Sequence, residues 1–179
     1  MSKDNGTIYL YEALELRGEY QARIASLKAL LPERRQGGRG GFLRLENNER
    51  REPADGFNSG EVRERLRMLE YKSRKLNTAI QQVNFSQQIE VAGETMSIAE
   101  ALELRKSLNQ ELADLQKMLE QSAYRTVIYK EERNITEEPE ENFTEVDRRL
   151  DERRGTFRQL NRALRRASFT VTVSYRDEA

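Results

Sequence analysis

Apolar positions recur at intervals of three and four along most of this chain. Leu10, Ala13, Tyr20, Ile24, Leu27 and Leu31 share one helical face, as do Ile98, Ala101, Leu108, Leu112, Leu115 and Leu119. The spacing predicts helices over about residues 10–31 and 97–121, each with one face against a partner. Pro32 ends the first, because proline disfavours helical geometry in the residue before it. Ser97 with Glu100 supplies a capping box for the other. Two further stretches read as heptad seams. One runs through Val62, Leu66, Leu69, Ser73, Leu76, Ile80 and Val83, the other through Val146, Leu150, Arg153, Phe157, Leu160, Leu164 and Ala167. Thr144 with Asp147 suits the start of the last helix. A period of two then takes over. Phe85–Val91, the Ala92-Gly93 turn and Glu94–Met96 predict a hairpin, and Phe169–Tyr175 alternates as a strand that a small sheet would join to it.

The helices repeat. Glu12-Ala-Leu-Glu-Leu-Arg17 recurs unchanged as Glu100-Ala-Leu-Glu-Leu-Arg105, 88 positions on. Leu76-Asn77, Ala79-Ile80 and Phe85 recur as Leu160-Asn161, Ala163-Leu164 and Phe169, 84 positions on. Glutamate, leucine, alanine and arginine suit any helix, but the asparagine and phenylalanine matches fall outside that bias. The expected fold is mainly α with minor β, with residues 1–179 a single domain built of two repeats, 8–91 and 96–175. Internally duplicated antiparallel helical hairpins would form an elongated, coiled-coil-like four-helix bundle with short strands. Ser73 and Phe157, 84 positions apart, suggest that one half's small residue makes room for the other half's large one.

Composition removes several chemistries. The 179 residues include no His, Cys or Trp, which excludes disulfides, iron–sulfur clusters and His or Cys catalysis. The 31 basic and 31 acidic side chains cancel, which argues against an overall field for nucleic acid or anionic membrane. With no apolar run of 18 residues and no signal-peptide pattern, the expectation is a soluble, cytoplasmic chain.

Charge is nevertheless segregated. Arg34, Arg35, Arg39 and Arg44 stand among Gly37, Gly38, Gly40 and Gly41 between the first two helices. Glu137, Glu138, Glu140 and Glu141 stand between the last two, with Val127-Ile-Tyr129 as a short strand beside them. Phe42–Leu45 would be the matching strand in the basic loop. The plain reading is a pair of solvated loops; unlike charges at equivalent tips also suit a contact between subunits. The arginine–glycine run is a short version of an RNA-binding segment.

Arg17 and Arg105 occupy matching positions on the predicted seams, where a charge needs a partner. Glu12, Glu15, Asn77 and, in the second half, Asn161 are candidates for a register-fixing clamp, with an anion-binding pocket as the functional alternative. A seam through Leu16 and Leu104 would instead leave the arginines at its edge. Glu12-x-x-Glu15 and Glu100-x-x-Glu103 could gather four carboxylates around Mg²⁺ or Mn²⁺, as in a metal-dependent nucleotide hydrolase. Two glutamates in a first turn also simply suit the helix dipole. Tyr20, Tyr71, Tyr124 and Tyr129 lack a paired base and read as core or strand-face residues.

The stretch Met96-Ser-Ile-Ala-Glu-Ala-Leu-Glu-Leu-Arg105, with Leu76-Asn77 and the Ala92-Gly93 turn before it, resembles the septicolysin-like family of small bacterial helical proteins. The resemblance implies an elongated, oligomeric helical protein, and the family label adds a cytolysin as an alternative. The glycine–arginine loop and Glu137-Glu-Pro-Glu-Glu141 depart from that family's pattern. Taken together, the expectation is a non-enzymatic, self-associating helical protein with no cofactor. Its main partner would be another copy of itself, rather than nucleic acid or membrane.

Overall fold

The computed structural model describes residues 6–31, 53–129, 131, 133 and 135–177. Arg34, Arg35, Arg39, Arg44 and the Phe42–Leu45 strand lie outside the described residues. Within them the chain is mainly helical, with short antiparallel strand pairs. β1 (Thr7–Tyr9) leads into α1 (Leu10–Leu30), and α2 (Ser59–Ser86) leads into the β2–β3 hairpin (Gln88–Val91 and Glu94–Ser97). Then come α3 (Ile98–Ser122), the β4–β5 pair (Thr126–Ile128 and Ile135–Glu137), α4 (Phe143–Thr170) and β6 (Thr172–Ser174).

Capping explains most helix boundaries. The Ser97 hydroxyl accepts from the Glu100 N–H at 3.1 Å while the Glu100 carboxylate accepts from the Ser97 N–H at 2.7 Å, the expected capping box. At the matching place on α1, Glu12 accepts from the Tyr9 N–H at 2.8 Å. The cap of α4 is Asn142 rather than Thr144: its side chain accepts from the Glu145 N–H, so the helix begins one residue before Thr144. Asn58 caps α2 in the same way. Both helices are 28 residues long.

The strand boundaries differ from the sequence expectation. Phe85 and Ser86 still belong to α2, and Phe169 and Thr170 to α4, because the Gln87 and Val171 N–H groups continue the helical ladder to Val83 and Ala167. β6 does not join the β2–β3 hairpin. It pairs with β1, with Ile8 opposite Val173, while Ile89 lies opposite Met96 in β2–β3. β1 and β5 were not expected, and β4 begins one residue before Val127.

Packing is strongest within the pairs α1–α2 and α3–α4. The largest buried cluster draws Leu10, Ala13 and Tyr20 together with Leu76, Ile80, Ile98, Ala167 and Val173, so all four helices meet beside the β1–β6 pair. A second cluster joins Val91, Ala101, Leu108 and Leu160. A third, of Leu115, Val146 and Leu150, belongs to α3 and α4 alone. Among these clusters, all four helices thus meet only in the one beside the β1–β6 pair. Leu16 and Leu104 pack against these clusters, so the seam runs through them. The expected pairing of Ser73 with Phe157 across halves is replaced by a local arrangement. Phe157 packs with Val91, Leu108 and Leu160, while Ser73 is buried one residue along from Lys72, whose carbonyl lies 3.5 Å from the Tyr175 hydroxyl. Among the described residues, no helix is long and apolar enough to cross a membrane.

Candidate functional site

Three surface features concentrate unsatisfied chemistry. The first is a groove of about 640 Å³ where α1, α3 and α4 meet the end of α2. Its floor is apolar, formed by Leu10, Leu14, Ile98, Leu102 and Leu164. Arg17, Arg105, Lys106 and Arg165 surround that floor, with Asn84, Asn161 and Ser168 beside them, and Glu103 is the one acidic residue lining it. Arg17 is half-buried and Arg105 exposed. Among the described residues neither makes an ion pair, so the expected clamp to Glu12, Glu15 or Asn77 is not formed. Three of the carboxylates are engaged elsewhere: Glu12 and Glu100 cap their own helices, and Glu103 pairs with Lys106 at 2.7 Å. Asn77 is half-buried on α2 and does not line the groove. The same engagements work against a shared carboxylate site; among the described residues, no group of three or more metal-ligating side chains comes together.

The second feature is a groove of about 650 Å³ between α1 and α2. Ala22, Leu27, Met68 and Leu69 form its walls; Arg23, Arg65, Lys72 and Glu64 edge it, with Arg23 paired to Glu19 at 3.1 Å and Lys72 to Asp177 at 3.0 Å. Lys28 on α1 reaches Glu70 on α2 at 2.9 Å beside it. The α3–α4 pair is closed instead. Leu115 and Leu150 are 3% and 1% exposed, and Arg153 spans to Glu111 at 2.7 Å.

The third is the acidic tip between α3 and α4. Glu137, Glu138, Glu140 and Glu141 are all exposed there. Arg125 lies 3.9 Å from Glu138 and Arg149 3.8 Å from Glu141, long contacts that leave most of the charge open to solvent. Tyr124 and Tyr129 are 85% and 80% exposed, and Phe143 and Ile128 are also exposed. The expectation that these tyrosines fill a core or cover a strand face is corrected; Tyr71 is exposed as well.

A partly buried polar network had no signal in the sequence. The Tyr20 and Tyr175 hydroxyls are 3.2 Å apart, and Lys72 pairs with Asp177 at 3.0 Å. Burial raises the Tyr20 phenol well above its ordinary value, and its hydrogen bond to Asp177 adds to the shift. That bond from Tyr20, joined by Lys72, holds the Asp177 carboxyl below its ordinary range, against a smaller opposing effect of burial. The signal is absent because the partners lie far apart in sequence. The Tyr20–Tyr175 and Lys72–Asp177 contacts tie the residues after β6 onto α1 and α2, which is a structural role.

No family model and no curated protein matches the chain. One solved structure is similar in fold, titled a functionally unknown conserved protein from Corynebacterium diphtheriae. It aligns with a TM-score of 0.68 at 20% identity, over 94% of this chain and 99% of that one. The likeness extends to the fold and does not bear on the septicolysin-like resemblance.

Proposed function

We propose that this chain is an internally duplicated helical protein whose role is self-assembly, with the acidic tip of one copy seated in the α1–α2 groove of the next. The observation that carries the reading is the unlike pair of tips on one chain. One hairpin offers an open apolar groove edged by three cations and one carboxylate, Arg65 being the cation without an ion pair among the described residues; the other offers exposed Tyr124, Tyr129 and Phe143 among glutamates. Exposed aromatic side chains supply contact area, while complementary charge sets orientation and partner choice. Because the two surfaces differ, the contact is heterologous: it closes into a ring or continues as a filament.

Matching hydrogen bonds support the duplication. Leu10 N–H donates to Val171 C=O at 2.9 Å and Ile98 N–H to Gln87 C=O at 3.0 Å, a pair related by the 88- and 84-residue offsets of the sequence repeat. The β1–β6 and β2–β3 registers are related by the same offsets. Under this reading Leu115 and Leu150 fill one hairpin, while their counterparts Leu27 and Leu66 are only half-buried and keep a surface for a partner.

Light scattering across a concentration series tests the proposal. Species heavier than the 20.9 kDa chain should appear and weaken with added salt. Glu140→Lys with Glu141→Lys should reduce assembly, and adding Arg65→Glu should recover part of it. A single 20.9 kDa species at every concentration would overturn the reading.

A further inference from the structure

We infer that the groove containing Arg17 and Arg105 is a binding site for a small organic anion carrying two negatively charged groups, such as a diphosphate or a di- or tricarboxylate. Four cationic side chains line it against one carboxylate, and that carboxylate, on Glu103, is already held by Lys106 at 2.7 Å. Arg17, Arg105 and Arg165 therefore have no ion-pair partner among the described residues. Arg17 is half-buried and, like Arg105 and Arg165, keeps its guanidinium without a counter-charge among the described residues, so an anion of matching shape gains charge-assisted hydrogen bonds there.

Placement narrows the ligand class. Arg17 and Arg105 occupy repeat-related positions, 88 residues apart, on two different helices. They converge on one groove, with the repeat-related Leu14 and Leu102 also lining it. Planar guanidinium groups match the paired oxygens of phosphate and carboxylate, so two of them suit a ligand with an anionic group at each end. Leu14, Leu102 and Leu164 offer apolar contact to the connecting part of such a ligand, and Asn84 and Asn161 offer amide groups at the edge. A volume of about 640 Å³ falls within the range of small-molecule sites. The site shares no lining residue with the α1–α2 groove or the acidic tip, so it stands independently of self-assembly.

Isothermal titration calorimetry with the full chain at low ionic strength, using inorganic pyrophosphate and citrate as separate probes, tests the inference. Saturable binding of one molecule per chain is expected for at least one probe. Arg17→Gln and Arg105→Gln should each weaken it by about tenfold or more. Arg63→Gln, on the exposed face of α2 outside the groove, should change it less than about twofold. Binding of pyrophosphate alone assigns phosphate chemistry; binding of citrate alone assigns carboxylate chemistry. Two results would overturn the proposal: no saturable binding of either probe at millimolar concentration, or equal weakening by Arg63→Gln. Thermal melts of each variant separate lost binding from lost folding. If Arg17→Gln proves unfolded, Arg105→Gln, at an exposed position, carries the test.

Discussion

Replacing Leu150 and Leu66 separately by alanine probes the difference between the two hairpins. The residues lie 84 positions apart, one on each 28-residue helix, yet Leu150 is 1% exposed and Leu66 only half-buried. Leu150 packs with Leu115 and Val146, so truncation loses both the transfer free energy and the contacts around an enclosed cavity. That should cost about 3 kcal/mol. At Leu66 part of the side chain already meets water and no enclosed cavity is left, so the cost should be about 1 kcal/mol. For a chain of this size the losses correspond to falls in Tm of roughly 6–12 °C and 2–4 °C. Urea unfolding followed by circular dichroism, at concentrations too low for association, measures both. Equal losses, or a larger loss at Leu66, would refute the claim that the α1–α2 hairpin is incompletely closed. At higher concentration the Leu66→Ala deficit should grow if a second copy covers the groove.

Three further outcomes follow from local chemistry. Tyr20→Phe should remove about 1–2 kcal/mol by breaking the contacts to Tyr175 and Asp177. The raised Tyr20 value means that its stabilisation is intact below pH 10 and fades as pH rises above it, so the variant's alkaline melting curve should be flatter; an unchanged curve rejects the coupling. The lowered Asp177 value works in the opposite window: its contribution is present above about pH 4 and fades on acidification, and Asp177→Asn should flatten the acid limb. In the β2–β3 turn, Ala92 has φ of 54° and Gly93 of 88°, a two-residue turn that favours asparagine before glycine. Ala92→Asn should therefore stabilise the chain by about 0.5–1 kcal/mol, whereas a loss of stability in chemical denaturation would count against the turn assignment.

How far the sequence revealed this arrangement depended on the kind of pattern. Repeated apolar spacing located Ala13, Leu76, Ala101, Leu108 and Leu160 in buried positions, because a helical face imposes its period over many residues. Ser97 and Glu100 were legible because both halves of the capping box lie within one turn. Strand boundaries were not. Phe85 and Phe169 alternate with polar neighbours as a strand would, but the helical ladder runs on through both, and Phe169 packs against Tyr11 with the rings tilted at 41° and their centres 4.9 Å apart. β1 has only three residues and pairs with the far end of the chain, leaving no local pattern to read. Arg17 and Arg105 were read as members of a clamp, and both line one groove instead; nothing in the spacing showed that Glu12, Glu100 and Glu103 would be engaged elsewhere.

The pairing of Ile8 with Val173 has a consequence for how the chain acquires its structure. During synthesis α1 and α2 can meet early, since both belong to the first hairpin, but β1 has no strand partner until β6 has been made. Joining elements so distant along the chain carries a larger loop-closure entropy than joining β2 to β3 across two residues. β1 is therefore secured only once β6 has been made, and its edge stays unpaired until then.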